Sequence, residues 1–315
     1  MPVRIVAANY GGPEVLEQQT FGAPPLEPHE VRVDIKAAGV NPFDVKSYSG
    51  VYSSDPSLLP IKLGFEAAGV VNEVSSGELH GPLGPINVGD EVIVFRTSAA
   101  YTDQLVAKSA SILHKPASLT WEQAGSMMTT GVTAAHCMVA TGVTKGDTVL
   151  IHGGAGGVGL TAVQLAVAAG ANVIATASEP QHELLHELGV TPVKYGDGLL
   201  DRVRAASPDG VDVAIDLVGT DEALDVSLQV VQTRDRIATI ANFTRAPKEG
   251  VQLLNSGKPE EIAIRDAARL QLLDLVRSGQ LRLFVEQVFS FDDVAEAHKA
   301  IATGHTHGKI VLVPA

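Results

Sequence analysis

The period of the apolar positions changes partway along the chain. Up to about Leu119, short runs with a period of two are separated by Gly and Pro. They are VRVDIKA from Val31, GVVNEV at 69–74 and EVIVF at 91–95. Alternation of this kind marks strands with one buried face, so the first 120 residues predict a barrel-like or otherwise irregular β domain. The stretch at 75–90, SSGELHGPLGPINVGD, has the composition of a surface loop.

Beyond Leu119 the pattern becomes helical. LTWEQAGSMMTTGVTAAHCMVATG predicts helices, with Thr120 as the N-cap of the first. Apolar strands then alternate with helices: TVLIHGG (148–154), the helix LTAVQLAVAAGA (160–171), NVIATAS (172–178), a helix over HELLH (182–186), a short strand near Val193, VDVAIDLVG (211–219), a helix over about 221–231, and RIATIAN (236–242). Strands apolar on both faces and joined by helices predict an α/β doubly wound parallel sheet. A long amphipathic helix is expected from Pro259 to about Ser278, then LRLFVEQVFS, the helix DDVAEAHKAIATG and a last strand KIVLV. The expected division is 1–120, 121–258 and 259–315.

Composition narrows the choice of partner. A chain of 315 residues suits two domains. A net charge of −13 argues against nucleic acid or an anionic membrane. Aromatic residues are only 4%, so the core must be largely aliphatic. Cys137 is the single cysteine, which excludes an internal disulfide and a Cys-based zinc cluster. MPVRIVAANYGGPEV has no apolar h-region, and the longest apolar stretch is interrupted by Gln164, Gly170 and Asn172. Neither a secretory signal nor a membrane span is predicted, and a cytoplasmic location is expected.

The strongest chemical signal is HGGAGGVGL at 152–160, in which Gly154, Gly156 and Gly159 fit G-x-G-x-x-G. The pattern is informative because it follows an apolar strand and opens an apolar helix. Gly154 is expected to permit the tight turn, Gly156 to let the backbone approach a pyrophosphate, and Gly159 to let helix pack on strand. Gly157 and Val158 add main-chain N–H donors at the helix start. The second strand ends in Ala177-Ser178, not in the carboxylate that grips an unphosphorylated ribose. That favours NADP over NAD. Ser178 could bond a 2′-phosphate, with His182 and Tyr195 assisting, although Glu179 would repel it if it pointed inward.

HELLH also matches the zinc-protease pattern H-E-x-x-H. Leu184, Leu185 and Leu188 form the buried stripe of that helix, which turns His182 and His186 outward. No third ligand follows, and chance alone places such a pentad in roughly one comparable chain in fifty. A metalloprotease is therefore not expected.

Several segments, in order, resemble the zinc-independent quinone oxidoreductases, the zeta-crystallin-like branch of the medium-chain dehydrogenase/reductases. They are AAGVNPFDVK (37–46), SGVY (49–52), LGFEAAGVV (63–71), GDEVIVF (89–95), GVTAAHCM (131–138), GDTVLIHGGAGGVGLTAVQLA (146–166) and HGKIVLV (307–313). The resemblance implies a GroES-like β-barrel domain, a Rossmann domain and a C-terminal segment returning to the first domain, with the site in a cleft between the two. It implies NADPH as cofactor, a small-molecule quinone or enone as substrate, and a homodimer or homotetramer. Zinc-dependent relatives carry Gly-His-Glu where this chain has Gly64-Phe65-Glu66, and a phenyl ring cannot ligate a metal.

The resemblance also implies residue roles. Tyr52 and Asn41 match positions that line the site, where they can donate to the substrate oxygen or, for Asn41, to the nicotinamide ribose. Asn41 before Pro42 could instead be a turn former, and Asp44 an organiser of that loop. Thr130 resembles a position that touches nicotinamide. Val218 and Ile240, within two later strands, complete the expected cofactor contacts. Family members often place Lys where Gln181 stands and Arg near His307 or Lys309, so Lys309 is the expected C-terminal phosphate ligand. The loops at 42–62 and 243–260 are expected to shape the substrate pocket. The function expected is zinc-independent, NADPH-dependent reduction of a quinone or α,β-unsaturated carbonyl. An enoyl-thioester reductase on the same fold, or a non-catalytic NADPH-binding crystallin or sensor, stands as the alternative.

Overall fold

Glu30–Val40 is the longest strand, and three others pair with it. Its register against Glu66–Val74 shifts after Arg32 and again after Ile35, irregularities that bend a strand. In the computed structural model, which describes residues 1–254 and 257–315, it lies within a seven-stranded sheet. The order is Ile112–His114, Glu91–Phe95, Glu66–Val74, Glu30–Val40, Lys309–Val313 and Val285–Ser290, with Gln104–Lys108 added beside Glu30–Val40. A three-stranded sheet of Leu16–Thr20, Val3–Ala7 and Ile61–Lys62 accompanies it. Val33, Val71, Val94, Tyr101 and Ile310 lie in the core of this unit. The stretch at 75–90 is more than a loop: His80–Gly81 pairs with Gly84–Pro85, and the flanking Leu79 and Ile86 are buried. Its Gly/Pro content masked two apolar anchors.

The second unit holds six parallel strands in the order Thr191–Lys194, Asn172–Ala177, Thr148–His152, Val213–Asp216, Ile237–Thr239 and Gln252–Leu253. Numbered along the chain this is 3-2-1-4-5-6, the doubly wound Rossmann order. Its direction reverses between Thr148–His152 and Val213–Asp216, and ligands bind outside the carboxyl ends of strands at such a point. Leu150, Ile174, Val203, Ala214, Leu224 and Ile237 are part of its core. No helix among the described residues is long and apolar enough to cross a membrane.

The unit boundaries fall at Thr129/Thr130 and Leu283/Phe284 rather than at 120/121 and 258/259. The helix Pro259–Arg277 belongs to the second unit, not to the returning segment. A Cβ on Gly131 would lie 2.7 Å from Leu272 Cδ1, and Arg265 Nε donates to His136 Nδ1 at 3.2 Å. Residues 121–129 stay with the first unit, where a Cβ on Gly125 would meet Ala37 O at 2.5 Å. Helical periodicity shows that a face is apolar but not which element that face packs on.

Candidate functional site

The glycine-rich turn follows directly from the strand Thr148–His152. Gly153 N–H donates to Thr176 Oγ1 and Gly154 N–H to Thr176 O, both at 2.9 Å, which fastens the turn to the neighbouring strand. The left-handed residue is Gly153, with φ 80°, so the tight turn falls there and not at Gly154 as expected. Gly154 is small for a different reason: a Cβ would come within 2.5 Å of Ala175 Cβ. Gly159 is needed for helix–strand packing, since its Cβ would lie 2.1 Å from Gly153 O. A Cβ on Gly156 would meet only Gly153 O, at 3.5 Å. That side of the backbone is open to an approaching ligand.

The helix Gly157–Ala168 begins at this point, and Leu160 N–H to Gly156 O is its first i→i−4 bond. The amides of Gly157, Val158 and Gly159 therefore precede the ladder and are oriented for an anion. These features fit a dinucleotide pyrophosphate. Asp216, which the sequence reading missed, shapes the adjoining strand end. Its buried carboxylate accepts from Val218 N–H (3.0 Å), Gly219 N–H (2.8 Å) and the Thr239 hydroxyl (2.7 Å). Val218 is thereby held half-exposed beside Gly153, whose Cβ would reach its Cγ1 at 2.6 Å. Ile240 N–H donates to Asp216 O (3.1 Å), and Thr130 is buried in the helix Met127–Thr141.

Ser178 follows the second strand, Asn172–Ala177, and stands at the N-cap of the 3₁₀ turn Glu179–Gln181. The parallel register sets Ala177 opposite Lys194, so Lys194 and Tyr195 lie beside Ser178 at the same sheet end. Lys194 was not foreseen. Its ammonium is largely exposed and donates to Glu179 Oε1 at 3.2 Å, so the carboxylate expected to repel a phosphate is engaged by a cation. Only strand register could have revealed this pair. His182 Nε2 lies 3.4 Å from Ala177 O, while His186 is exposed on the helix His182–Glu187. Among the described residues, no group of three His, Cys, Asp or Glu is placed to hold a metal ion.

In the first unit, Lys309, Glu66 and Asn41 form a buried cluster. Lys309 Nζ donates to Val40 O (2.9 Å), Asn41 Oδ1 (2.6 Å) and Glu66 Oε1 (3.2 Å). An ammonium has three donors, and all three are used. Lys309 is therefore a structural ion-pair partner and not the expected 2′-phosphate ligand. Asn41 is corrected likewise: its amide donates to Glu66 Oε1 (3.1 Å) and Gly39 O (3.4 Å), and it is 3% exposed. It holds the extended residue before Pro42, which opens the helix Pro42–Tyr48, and its side chain has no donor left for substrate or ribose. Glu66 Oε2 accepts from Thr129 N–H at 2.9 Å.

Asp44 organises the neighbouring loops, as expected. It accepts from Asn41 N–H (2.9 Å), Gly64 N–H (3.0 Å) and the Tyr101 hydroxyl. Burial raises its pKa to about 6, with those hydrogen bonds and Lys309 opposing the rise. Tyr48 hydroxyl and His298 Nδ1 are 2.8 Å apart, and His298 Nε2 is 3.4 Å from the Tyr101 hydroxyl. Burial lowers the His298 pKa to about 4. Tyr52 is 50% exposed, and its hydroxyl bonds to no described residue. Its ring stacks on Phe43 with centroids 5.5 Å apart and planes at 30°, and Phe43 meets Phe65 edge-on at 4.7 Å and 87°. Of the loop at 243–260, Asn255 and Ser256 lie outside the described residues. A groove of about 810 Å³ lined by Met138, Leu165 and Leu275 includes none of the expected site residues.

The GroES-like domain of alcohol dehydrogenases matches residues 27–104, and a family described as zinc-binding dehydrogenase matches 188–312. A synaptic vesicle membrane protein VAT-1 homolog from Mus musculus is 29% identical, covering 99% of this chain and 84% of its own length. A quinone oxidoreductase of Salmonella typhimurium is 34% identical, covering 100% of both chains. The crystal structure of Escherichia coli quinone oxidoreductase complexed with NADPH superimposes with a TM-score of 0.85 at 28% identity, over 99% of this chain and 100% of that one. Likeness of this extent, over a GroES-like sheet and a Rossmann sheet in the same order, makes the chain an oxidoreductase enzyme belonging to the quinone oxidoreductases of the medium-chain dehydrogenase/reductase superfamily.

Proposed function

We propose that this enzyme reduces a quinone or an α,β-unsaturated carbonyl with NADPH and without a metal. The observation that carries the reading is the open face at Gly156, where three unladdered amides and a helix start provide for a pyrophosphate. NADPH, when bound, supplies the hydride. Thr130, Gly154, Val218 and Ile240 complete its expected contacts. Ser178, Tyr195 and Lys194 receive the 2′-phosphate, which replaces Glu179 as the partner of Lys194.

Reduction puts negative charge on the acceptor's carbonyl oxygen, and a positioned donor must stabilise it. Tyr52 is that donor, because its hydroxyl carries no competing bond. The metal-free reading rests on donor chemistry. Phe65 offers no ligand atom, and both oxygens of Glu66 are committed to Lys309, Asn41 and Thr129.

Calorimetry with NADPH and NADH, followed by initial rates with 9,10-phenanthrenequinone, a 2-alkenal and an enoyl thioester, tests the reading. Expected are tighter NADPH binding and turnover of the quinone or the alkenal. Lys194→Ala should weaken NADPH binding about tenfold and leave NADH unchanged. Tyr52→Phe should lower kcat/KM about 100-fold with NADPH affinity intact. Turnover of the thioester alone would identify an enoyl reductase. Binding with no turnover of any acceptor would identify a sensor.

A further inference from the structure

We propose that Thr239, together with Asp216, is a positioning residue for the nicotinamide half of the coenzyme. The proposal rests on the coenzyme reading above. Both side chains are completely buried, so they act through the turns they hold and not by contact with a ligand. Sheet order locates that half. The glycine-rich turn follows Thr148–His152, the third of the six strands. Ser178 and Lys194, on the side expected to take the 2′-phosphate, stand at the ends of the two strands to one side. A dinucleotide with its pyrophosphate at the central turn therefore extends its other mononucleotide to the opposite side, over the ends of Val213–Asp216 and Ile237–Thr239. The turns there press against one another. A Cβ on Gly153 would come within 2.6 Å of Val218 Cγ1, and one on Gly219 within 2.7 Å of Ala241 Cβ.

One residue pair holds both turns. Asp216 and Thr239 are the last residues of their strands and lie opposite each other in the parallel register. Asp216 Oδ1 accepts from the Val218 and Gly219 amides, and its Oδ2 takes the Thr239 hydroxyl proton. Thr239 Oγ1 in turn accepts from Ala241 N–H and Asn242 N–H, both at 3.1 Å. A hydroxyl has one proton and two lone pairs, and here all are used. Amides from both turns thus converge on two linked side chains. Asn242 Oδ1 carries the chain onward, accepting from Arg245 N–H at 3.0 Å just before the helix Ala246–Glu249. Thr239→Val keeps the shape of the side chain. It leaves the Ala241 and Asn242 amides without an acceptor and Asp216 Oδ2 without its donor. Turns no longer fixed in advance must be ordered by the coenzyme as it binds, which weakens affinity.

The test is calorimetry of NADPH, NADH and adenosine 2′,5′-bisphosphate, which carries only the adenosine end, on variants shown to be folded by urea unfolding. Thr239→Val should weaken NADPH and NADH by a common factor of about ten- to a hundredfold, with the bisphosphate within about twofold of wild type. Thr239→Ser keeps the donor and both acceptors and should hold both coenzymes within about threefold of wild type. Asp216→Asn is a second variant: it turns an N–H toward the Thr239 proton and should repeat the Thr239→Val pattern. Thr141→Val removes a buried hydroxyl bond, to Cys137 O, within one helix and should leave all three ligands unchanged. Unchanged coenzyme affinity in folded Thr239→Val or Asp216→Asn overturns the proposal. So does an equal loss for the bisphosphate, which marks general loosening of the sheet, and so does failure of Thr239→Ser to keep affinity. Wild type that binds neither coenzyme defeats the coenzyme reading and the proposal with it. Normal wild-type binding with unaffected variants defeats the positioning role alone.

Discussion

In the second unit, the seven consecutive residues Gly153 to Gly159 make the whole glycine-rich turn, and their contacts reach only to the neighbouring strands and the residues just beyond them. In the first unit, Lys309, Glu66, Asn41 and Thr129 come from four separate segments, and the Lys309–Asn41 bond joins residues 268 positions apart. The turn is a backbone device whose function depends on where side chains are missing. The cluster is a side-chain device in which each polar atom exists to satisfy another. A local backbone site announces itself in a short motif, whereas a dispersed polar site is invisible until the fold closes.

Breaking the dispersed cluster should have the largest effect. Lys309→Met leaves the buried Glu66 carboxylate without its cation and should cost about 3–5 kcal/mol in urea unfolding. If stability is kept and the preference for NADPH over NADH falls instead, Lys309 is a phosphate ligand after all. The local turn should respond in a position-dependent way. Gly159→Ala drives a Cβ into the Gly153 carbonyl and should cost about 3 kcal/mol while abolishing coenzyme binding. Both are read by unfolding and calorimetry on one sample.

Next comes pH. The folded Asp44 carboxyl, at about 6, holds its proton more firmly than in the unfolded chain, so its contribution to stability falls as pH rises from about 4 to about 6. His298, lowered to about 4, acts in the opposite sense: its contribution is present above about 6.5 and is lost as pH falls toward 4. His152, also lowered to about 4 by burial, adds to that acid-side loss. The wild-type curve therefore mixes opposing terms. Asp44→Asn isolates one of them: the unfolding free energy of the variant minus that of wild type should rise by roughly 3 kcal/mol between pH 4 and 6.5. A flat difference would show that Asp44 is ionised throughout. The smallest effect on stability belongs to Gly156→Ala, where φ is −77° and the added methyl makes only an ordinary contact with Gly153 O at 3.5 Å. Unfolding should change by less than about 1 kcal/mol, whereas NADPH affinity should fall about tenfold if the backbone there approaches the pyrophosphate.

The sequence carried the alternating strands, the parallel βαβ run, the G-x-G-x-x-G turn and the N-cap at Thr120, which accepts from Gln123 N–H. All of these depend on neighbours within a few residues, and main-chain geometry with local burial leaves a periodic trace in the residue types. Only the tertiary structure decided that Gly153 and not Gly154 takes the left-handed conformation, that Pro259–Arg277 packs on the helix Met127–Thr141 within the second unit, and that Lys194 reaches Glu179 across two strands. It alone showed that Asn41 and Lys309 spend every donor on buried partners. A side chain's type records which bonds it can make, but strand order and register determine which partner is close enough to take them.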